Sequence, residues 1–112
     1  MSNKDYRILI HMIEYCDKLL TFTSGMNYND FQKSELHKDA CSLCILQIGE
    51  LVANLTDEFK EVHKTIPWRQ IRSMRNIVAH HYGEIDAETL WDVIVDDIPS
   101  LKEYCERICA DT

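Results

Sequence analysis

Arg75 and His80 stand five residues apart, with Asn76 beside the arginine and His81 and Tyr82 just beyond the histidine. These residue types suit phosphodiester chemistry. A guanidinium binds phosphate through two parallel N–H donors and keeps its charge at any cellular pH. An imidazole titrates near neutrality, so it can carry protons while a phosphodiester is cleaved. Asn76 can orient a phosphate or an imidazole without adding charge. RNA supplies its own nucleophile in the 2′-hydroxyl, so the reaction strictly requires no metal, and it would leave a cyclic phosphate and a 5′-hydroxyl.

The surrounding residues form a basic island in an acidic protein. No Asp or Glu occurs from Val62 through Gly83, a stretch that holds Lys64, Arg69, Arg72 and Arg75 together with His63, His80 and His81. The whole chain carries a net charge of −7 and a pI near 5.1. That mean field repels phosphate and argues against a nonspecific nucleic-acid binder. The island makes Lys64, Arg69 and Arg72 the candidates for holding an RNA backbone.

A helix must position these groups. Pro67 suits a first helical turn, where its missing N–H costs nothing, and the helix is expected to run from there to about His80. At about 100° per residue, Arg72, Asn76 and His80 fall within about 60° of Arg69, while Ile71, Met74 and Val78 cluster on the opposite side. One face would pack on a core and the other would present Arg, Arg, Asn and His. Arg75 lies between the faces, about 140° from His80. One helix alone would not bring both onto one phosphate, whereas a second copy facing the first across a dimer axis would help. A bland reading stays open: His80 as a cation at the C-terminal end of its helix, and Arg72 and Arg75 as partners of acids on a neighbouring helix.

The rest of the chain also reads as helical. Its 112 residues are expected to form a single domain, 1–112, with a composition of 46% hydrophobic and 28% charged residues that can support a core. Three Gly and two Pro leave long uninterrupted stretches. The first helix is expected from a cap at Ser2 or Asn3 to about Thr21, with Ile8, Met12, Tyr15, Cys16 and Leu19 on one stripe. A second would start after Asn29-Asp30 and run to about Leu55, burying Ala40, Leu43, Cys44, Ile48, Leu51, Val52 and Leu55. A short third piece would cover Asp57 to Lys64, capped by Thr56 or Asp57. After the fourth, Asp86 would cap a fifth helix carrying Leu90, Trp91, Ile94 and Val95, which Pro99 kinks or restarts. The fold class is therefore all-α, an up-and-down bundle of about five helices.

Cys41 and Cys44 form a C-x-x-C, and Cys105 and Cys109 stand four apart. Four thiols could hold zinc, but both pairs fall on apolar helical faces, where Cys packs as a small hydrophobe. No metal and no cofactor is expected. Trp68 and Trp91 could stack on bases, but their neighbours favour partial burial. Glu58, Glu61, Asp92, Asp96 and Asp97 read as solvated faces. An odd number of Cys and charged residues throughout the first 18 positions favour a reducing, cytoplasmic setting with no secretion signal, and no apolar run is long enough for a membrane span.

Arg75-Asn76-Ile77-Val78-Ala79-His80 resembles the signature of the HEPN superfamily, and with His81 and Tyr82 it reads Arg-x4-His-x-Tyr, as in HepT toxins. The lead-in Ile66-Pro67-Trp68-Arg69-Gln70-Ile71-Arg72 is similar too, as are Ile85-Asp86, Leu90-Trp91 and Asp97-Ile98-Pro99-Ser100-Leu101. The resemblance is specific from about Ile66 to Leu101. It implies a HEPN-type bundle, a homodimer with its motif helices facing a shared cleft, and a metal-independent endoribonuclease acting on tRNA or mRNA. It also implies a toxin of a type VII toxin–antitoxin system. Arg75 and His80 would be the catalytic pair and Asn76 the polar helper. Tyr82 would be adenylylated from ATP by a cognate minimal nucleotidyltransferase antitoxin, adding negative charge and bulk beside the cleft. His81 stands where a smaller residue or Gly is common in the family, and is at most an accessory proton carrier. The alternative is a noncatalytic subunit that presents a nucleotide or substrate to a separate nucleotidyltransferase.

Overall fold

The computed structural model of the chain describes residues 1–80 and 87–111, with residues 77–80 described in backbone only. The expected Asp86 cap lies outside the described residues.

Helix α1 (Asn3–Phe22) starts where Ser2 accepts a hydrogen bond from the Asp5 N–H, the expected cap. Its stripe buries Ile8, Leu9, Met12, Cys16 and Leu19. Gly25 then turns the chain at φ 78°, a left-handed conformation that costs glycine little. The long second helix expected from Asp30 to Leu55 is two helices, α2 (Tyr28–Gln32) and α3 (Glu35–Asn54). The cause is capping. Asn27 and Asp30 form a reciprocal capping box that starts α2 earlier than expected, and the Ser34 side chain accepts from the His37 N–H to begin α3 afresh.

The buried face of α3 is Cys41, Cys44, Ile45, Ile48 and Val52. Leu43, expected inside, is 56% exposed, because it lies about 140° round the helix from Ile48. Helix α4 (Asp57–Val62) is capped by Thr56, as expected. Helix α5 (Trp68–His80) follows, with Pro67 just ahead of it accepting from the Ile71 N–H.

The last stretch is continuous but changes gauge. Helix α6 (Ala87–Asp92) runs into a π-helical turn (Val93–Asp97), and α7 (Ile98–Ala110) carries Pro99 in its first turn. A proline lacks the N–H for the ladder and crowds the carbonyl four residues back. The wider turn accommodates it: the Ile98 N–H bonds the Val93 carbonyl, five residues back. Val95 and Tyr104 are 44% and 40% exposed.

The described elements are all helical and form an all-α bundle. Helix α1 packs against α3 and α7, α3 also against α5, and α2 against α6. The shared core includes Leu9, Met12, Leu19, Phe31, Ile48, Leu90, Ile94 and Ile98. Trp91, half-buried as expected, packs its ring 5.1 Å from that of Phe31.

One charged side chain lies in this apolar frame. Asp5 is 2% exposed and joins α1 to the start of α4. Its carboxylate accepts from the Thr56 N–H at 3.0 Å, the Thr56 hydroxyl at 2.7 Å and the Ser2 hydroxyl at 3.0 Å. Burial alone would raise its pKa, but the bonds from Thr56 and Ser2 outweigh it and hold the carboxyl below its usual value. A depressed carboxyl pKa adds stability that is fully present above the unfolded-chain pKa and fades as pH falls through the folded one. Asp5→Ala should therefore cost about 1–3 kcal/mol at neutral pH, by leaving buried donors unpaired. The melting-temperature gap to the parent should stay constant down to about pH 5 and narrow below pH 4. A gap that widened on acidification would contradict this account.

The five cysteines are free. Cys16, Cys41 and Cys105 have no exposed surface, and burial pushes each thiol up to about 12. They are core hydrophobes, as their helical faces suggested. A thiol-specific disulfide reagent at pH 8 should therefore modify Cys109 first, which is only half-buried. All five thiols should react only after denaturation. Rapid modification of Cys16 in the folded protein would show that the core opens.

Candidate nucleic-acid interface on the fifth helix

The corner that launches α5 is locked by aromatic packing. Trp68 is 8% exposed, and its indole N–H donates to the His63 carbonyl at 3.1 Å. The Phe59 ring lies 5.9 Å from Trp68 and 4.5 Å from His63. Trp68 is thus a packing residue here, and a buried indole N–H with a partner costs little. The anchoring fixes the rotation of α5. Ile71 is buried and Met74 half-buried toward the core, while Arg69, Arg72 and Asn76 are exposed, as the periodicity predicts.

Beyond the corner, α5 lies against α3, with Gly49 of α3 facing the Arg75 stem. A Cβ at that position would sit 2.1 Å from the Arg75 Cβ and 2.8 Å from its Cγ. Only glycine leaves room for the arginine stem. The Arg75 head then reaches the next residue of α3: its Nε donates to Glu50 Oε1 at 2.5 Å. Its NH1 donates to Asn76 Oδ1 at 3.0 Å. The Arg75 side chain is 37% exposed and that of Glu50 51%.

The structure therefore brings Arg75 and Asn76 into direct contact and adds Glu50, which the sequence reading did not single out. Arg69 and Arg72 line the same helix in solvent. Lys64 lies in the connection before it, 75% exposed and 3.6 Å from Glu61. The bland expectation that Arg75 pairs with an acid on a neighbouring helix holds, and the guanidinium still faces solvent. His80 is the last residue of α5, and its side chain lies outside the described residues, as do His81 and Tyr82. Among the described residues, no three His, Cys, Asp or Glu side chains converge as a metal cage would.

On the far side of α5, a cavity of about 230 Å³ opens between α5 and α7, lined by Ile66, Pro67, Gln70, Ile71, Met74, Asp97, Ser100, Leu101 and Tyr104. Asp97 is exposed, as expected, although it lines this cavity. Partial burial, then the charges of Asp96 and Asp92, push its carboxyl above the usual value. Among the described residues, no helix is long and apolar enough to cross a membrane.

Comparison with known proteins places the sequence in a family. The profile of the HepT-like ribonucleases matches residues 12–108. The chain is 34% identical over 107 residues to a protein named "Probable ribonuclease HepT" from Thermococcus cleftensis, covering 96% of each. It is 32% identical over 100 residues, 89% of each chain, to one named "Putative RNase" from Caldanaerobacter subterraneus subsp. tengcongensis. It is also 36% identical over 106 residues, 94% of this chain, to 48% of a longer Methanocaldococcus jannaschii protein named "Gamma-glutamylcyclotransferase and putative RNase". No solved structure gives a significant match. A helical bundle with Arg75 and Asn76 on the open side of its fifth helix, matched over most of its length by that profile, belongs to the HepT-like ribonuclease family of the HEPN superfamily.

Proposed function

We infer that this protein is a metal-independent endoribonuclease toxin whose catalytic pair is Arg75 and His80, with Asn76 as helper. The observation that best supports this reading is the solvent-facing Arg75 guanidinium, bonded to Asn76 on a helix that also exposes Arg69 and Arg72. Arg75 would bind a phosphate oxygen and offset the charge that develops on it. His80 would move protons. The 2′-oxygen forms its bond to phosphorus as its proton leaves to a base, and the bond to the 5′-oxygen breaks as that oxygen takes a proton from an acid. The products are a 2′,3′-cyclic phosphate and a 5′-hydroxyl. Since Arg75 and His80 diverge round one helix, a homodimer with facing motif helices would supply both roles across a shared cleft. Lys64, Arg69 and Arg72 would hold the flanking phosphates.

Neutralisation would come from a cognate minimal nucleotidyltransferase. The Tyr82 hydroxyl attacks the α-phosphorus of ATP, pyrophosphate leaves, and the tyrosine keeps AMP. Its negative phosphate beside the basic helix would repel RNA.

Expression of the chain alone should arrest bacterial growth, and His80→Ala should relieve the arrest while the protein stays folded. Mass spectrometry after coexpression with a minimal nucleotidyltransferase of the antitoxin type should find Tyr82 heavier by one or more AMP groups. A harmless parent chain that binds ATP stoichiometrically would instead favour the noncatalytic subunit of a two-component nucleotidyltransferase.

A further inference from the structure

Glu50 and Gly49 are neighbours on α3, and both address Arg75. Gly49 lets the arginine stem press against the α3 backbone, and the Glu50 carboxylate takes its Nε. An exposed ion pair of this kind contributes little to stability. Its geometric effect is larger. A guanidinium has five N–H donors. Glu50 engages the one on Nε, and Asn76 Oδ1 engages one on NH1. Among the described residues the remaining donors, on NH1 and NH2, have no partner. The same contact fixes the Asn76 amide: with Oδ1 turned to Arg75, its two Nδ2 donors point elsewhere.

We propose that Glu50 is a positioning residue that acts through Arg75, holding the guanidinium by its Nε so that NH1 and NH2, beside the Asn76 Nδ2, make one donor face for a phosphodiester. The proposal rests on the ribonuclease reading above. Glu50 never touches substrate. It sets the direction in which Arg75 presents its charge, and its own negative charge tempers how tightly Arg75 holds the ground-state phosphate. The two effects oppose each other in binding and add in turnover. Removing Glu50 frees a competing anion's place on Arg75, so RNA binding is retained or tightened, while the reacting phosphate is less well aligned and kcat falls.

The test uses the full chain with Glu50→Ala and Glu50→Gln, each alone and combined with Arg75→Ala. Cleavage of a fluorescent RNA oligonucleotide gives kcat and KM, and an uncleavable 2′-O-methyl oligonucleotide gives binding. The Arg75 Nε–H is followed in ¹⁵N-edited NMR spectra, assigned by its loss in Arg75→Lys. Glu50→Ala should lower kcat about ten- to a hundredfold, the cost of displacing a reacting group by about an ångström. KM and oligonucleotide binding should be no weaker than in the parent. Glu50→Gln keeps an oxygen acceptor for Nε and should recover most of the loss. On an Arg75→Ala background, neither change should matter further. The Arg75 Nε–H should exchange slowly in the parent and fast in Glu50→Ala.

A structural role alone would lower melting temperature and weaken kcat and binding together, on both backgrounds, and would overturn the proposal. So would cleavage by Glu50→Ala at or above the parental rate. A parent chain that cleaves no RNA would overturn the ribonuclease reading instead. The claim that Glu50 holds Arg75 would then be decided by the Nε–H exchange alone, and equal exchange in parent and Glu50→Ala would end it.

Discussion

Purified His80→Ala should cleave RNA about 10²–10⁴-fold more slowly than the parent chain, the usual contribution of a positioned proton carrier. Arg75→Ala should lose about 10²–10³-fold, the range for removing one donor to a developing anion. Arg75 lies outside the hydrophobic core. Substitutions of this kind usually alter stability by about 0.5 kcal/mol or less, so circular dichroism and melting temperature should barely move. If the pair acts as a unit, the double variant should be little worse than the poorer single one. Gel analysis should show the products of the parent reaction to be a cyclic phosphate and a 5′-hydroxyl. A His80→Ala protein that cut at the parental rate would remove the imidazole from the mechanism.

Gly49→Ala should destabilise the protein although it adds only one methyl group. The new Cβ would meet the Arg75 Cβ at 2.1 Å, and neither atom is the far end of a flexible side chain. Helices α3 and α5 must separate, and overpacking of this kind costs about 1–3 kcal/mol, occasionally more. Alanine is the better helix former by about 1 kcal/mol, so local propensity opposes the change and predicts the reverse sign. Because steric exclusion at that distance exceeds the propensity gain, the melting temperature should fall by several degrees. RNA cleavage should fall further than stability explains, since the displaced stem carries the guanidinium with it. A Gly49→Ala protein that melted higher than the parent and cleaved normally would show that the helices do not approach this closely.

The two results would bear on different parts of the sequence reading. The face assignments of α1 and α5 were legible because their stripes are regular and their ends are marked, by Ser2 for one and Pro67 for the other. The boundary near Ser34 was less so. Asn29-Asp30 looks like a cap, but the functioning pair is Asn27 with Asp30, and a second start at Ser34 needs only a two-residue break that hydrophobic spacing barely registers. Leu43 followed the general expectation that leucine is buried, against its own angular position.

The candidate site divides the same way. Arg69, Arg72 and Asn76 are exposed because rotation along a helix is a local property. Glu50 is 25 residues from Arg75, and their contact depends on which helices pack together. Composition carries no record of that pairing. Two signals were nonetheless present. A glycine in mid-helix lowers helix propensity by about 1 kcal/mol and invites the question of what comes close to it. Asp5 falls on the same stripe as Ile8 and Met12, so a carboxylate facing the core could have been foreseen, with a capped helix start as its partner.

The π-helical turn between Val93 and Asp97 sets a constraint on chain length. It accommodates one residue more than an α-helical turn would over the same rise. Deleting any one of those five residues and closing the turn to ordinary α-helix would leave α7 facing the core nearly as it does now, because four α-helical residues turn through about the same angle as five π-helical ones. Leu101 and Cys105 would stay on the core side, but the carbonyl crowded by Pro99 would lose its relief. Homologous chains that are one residue shorter here should therefore also lack the proline.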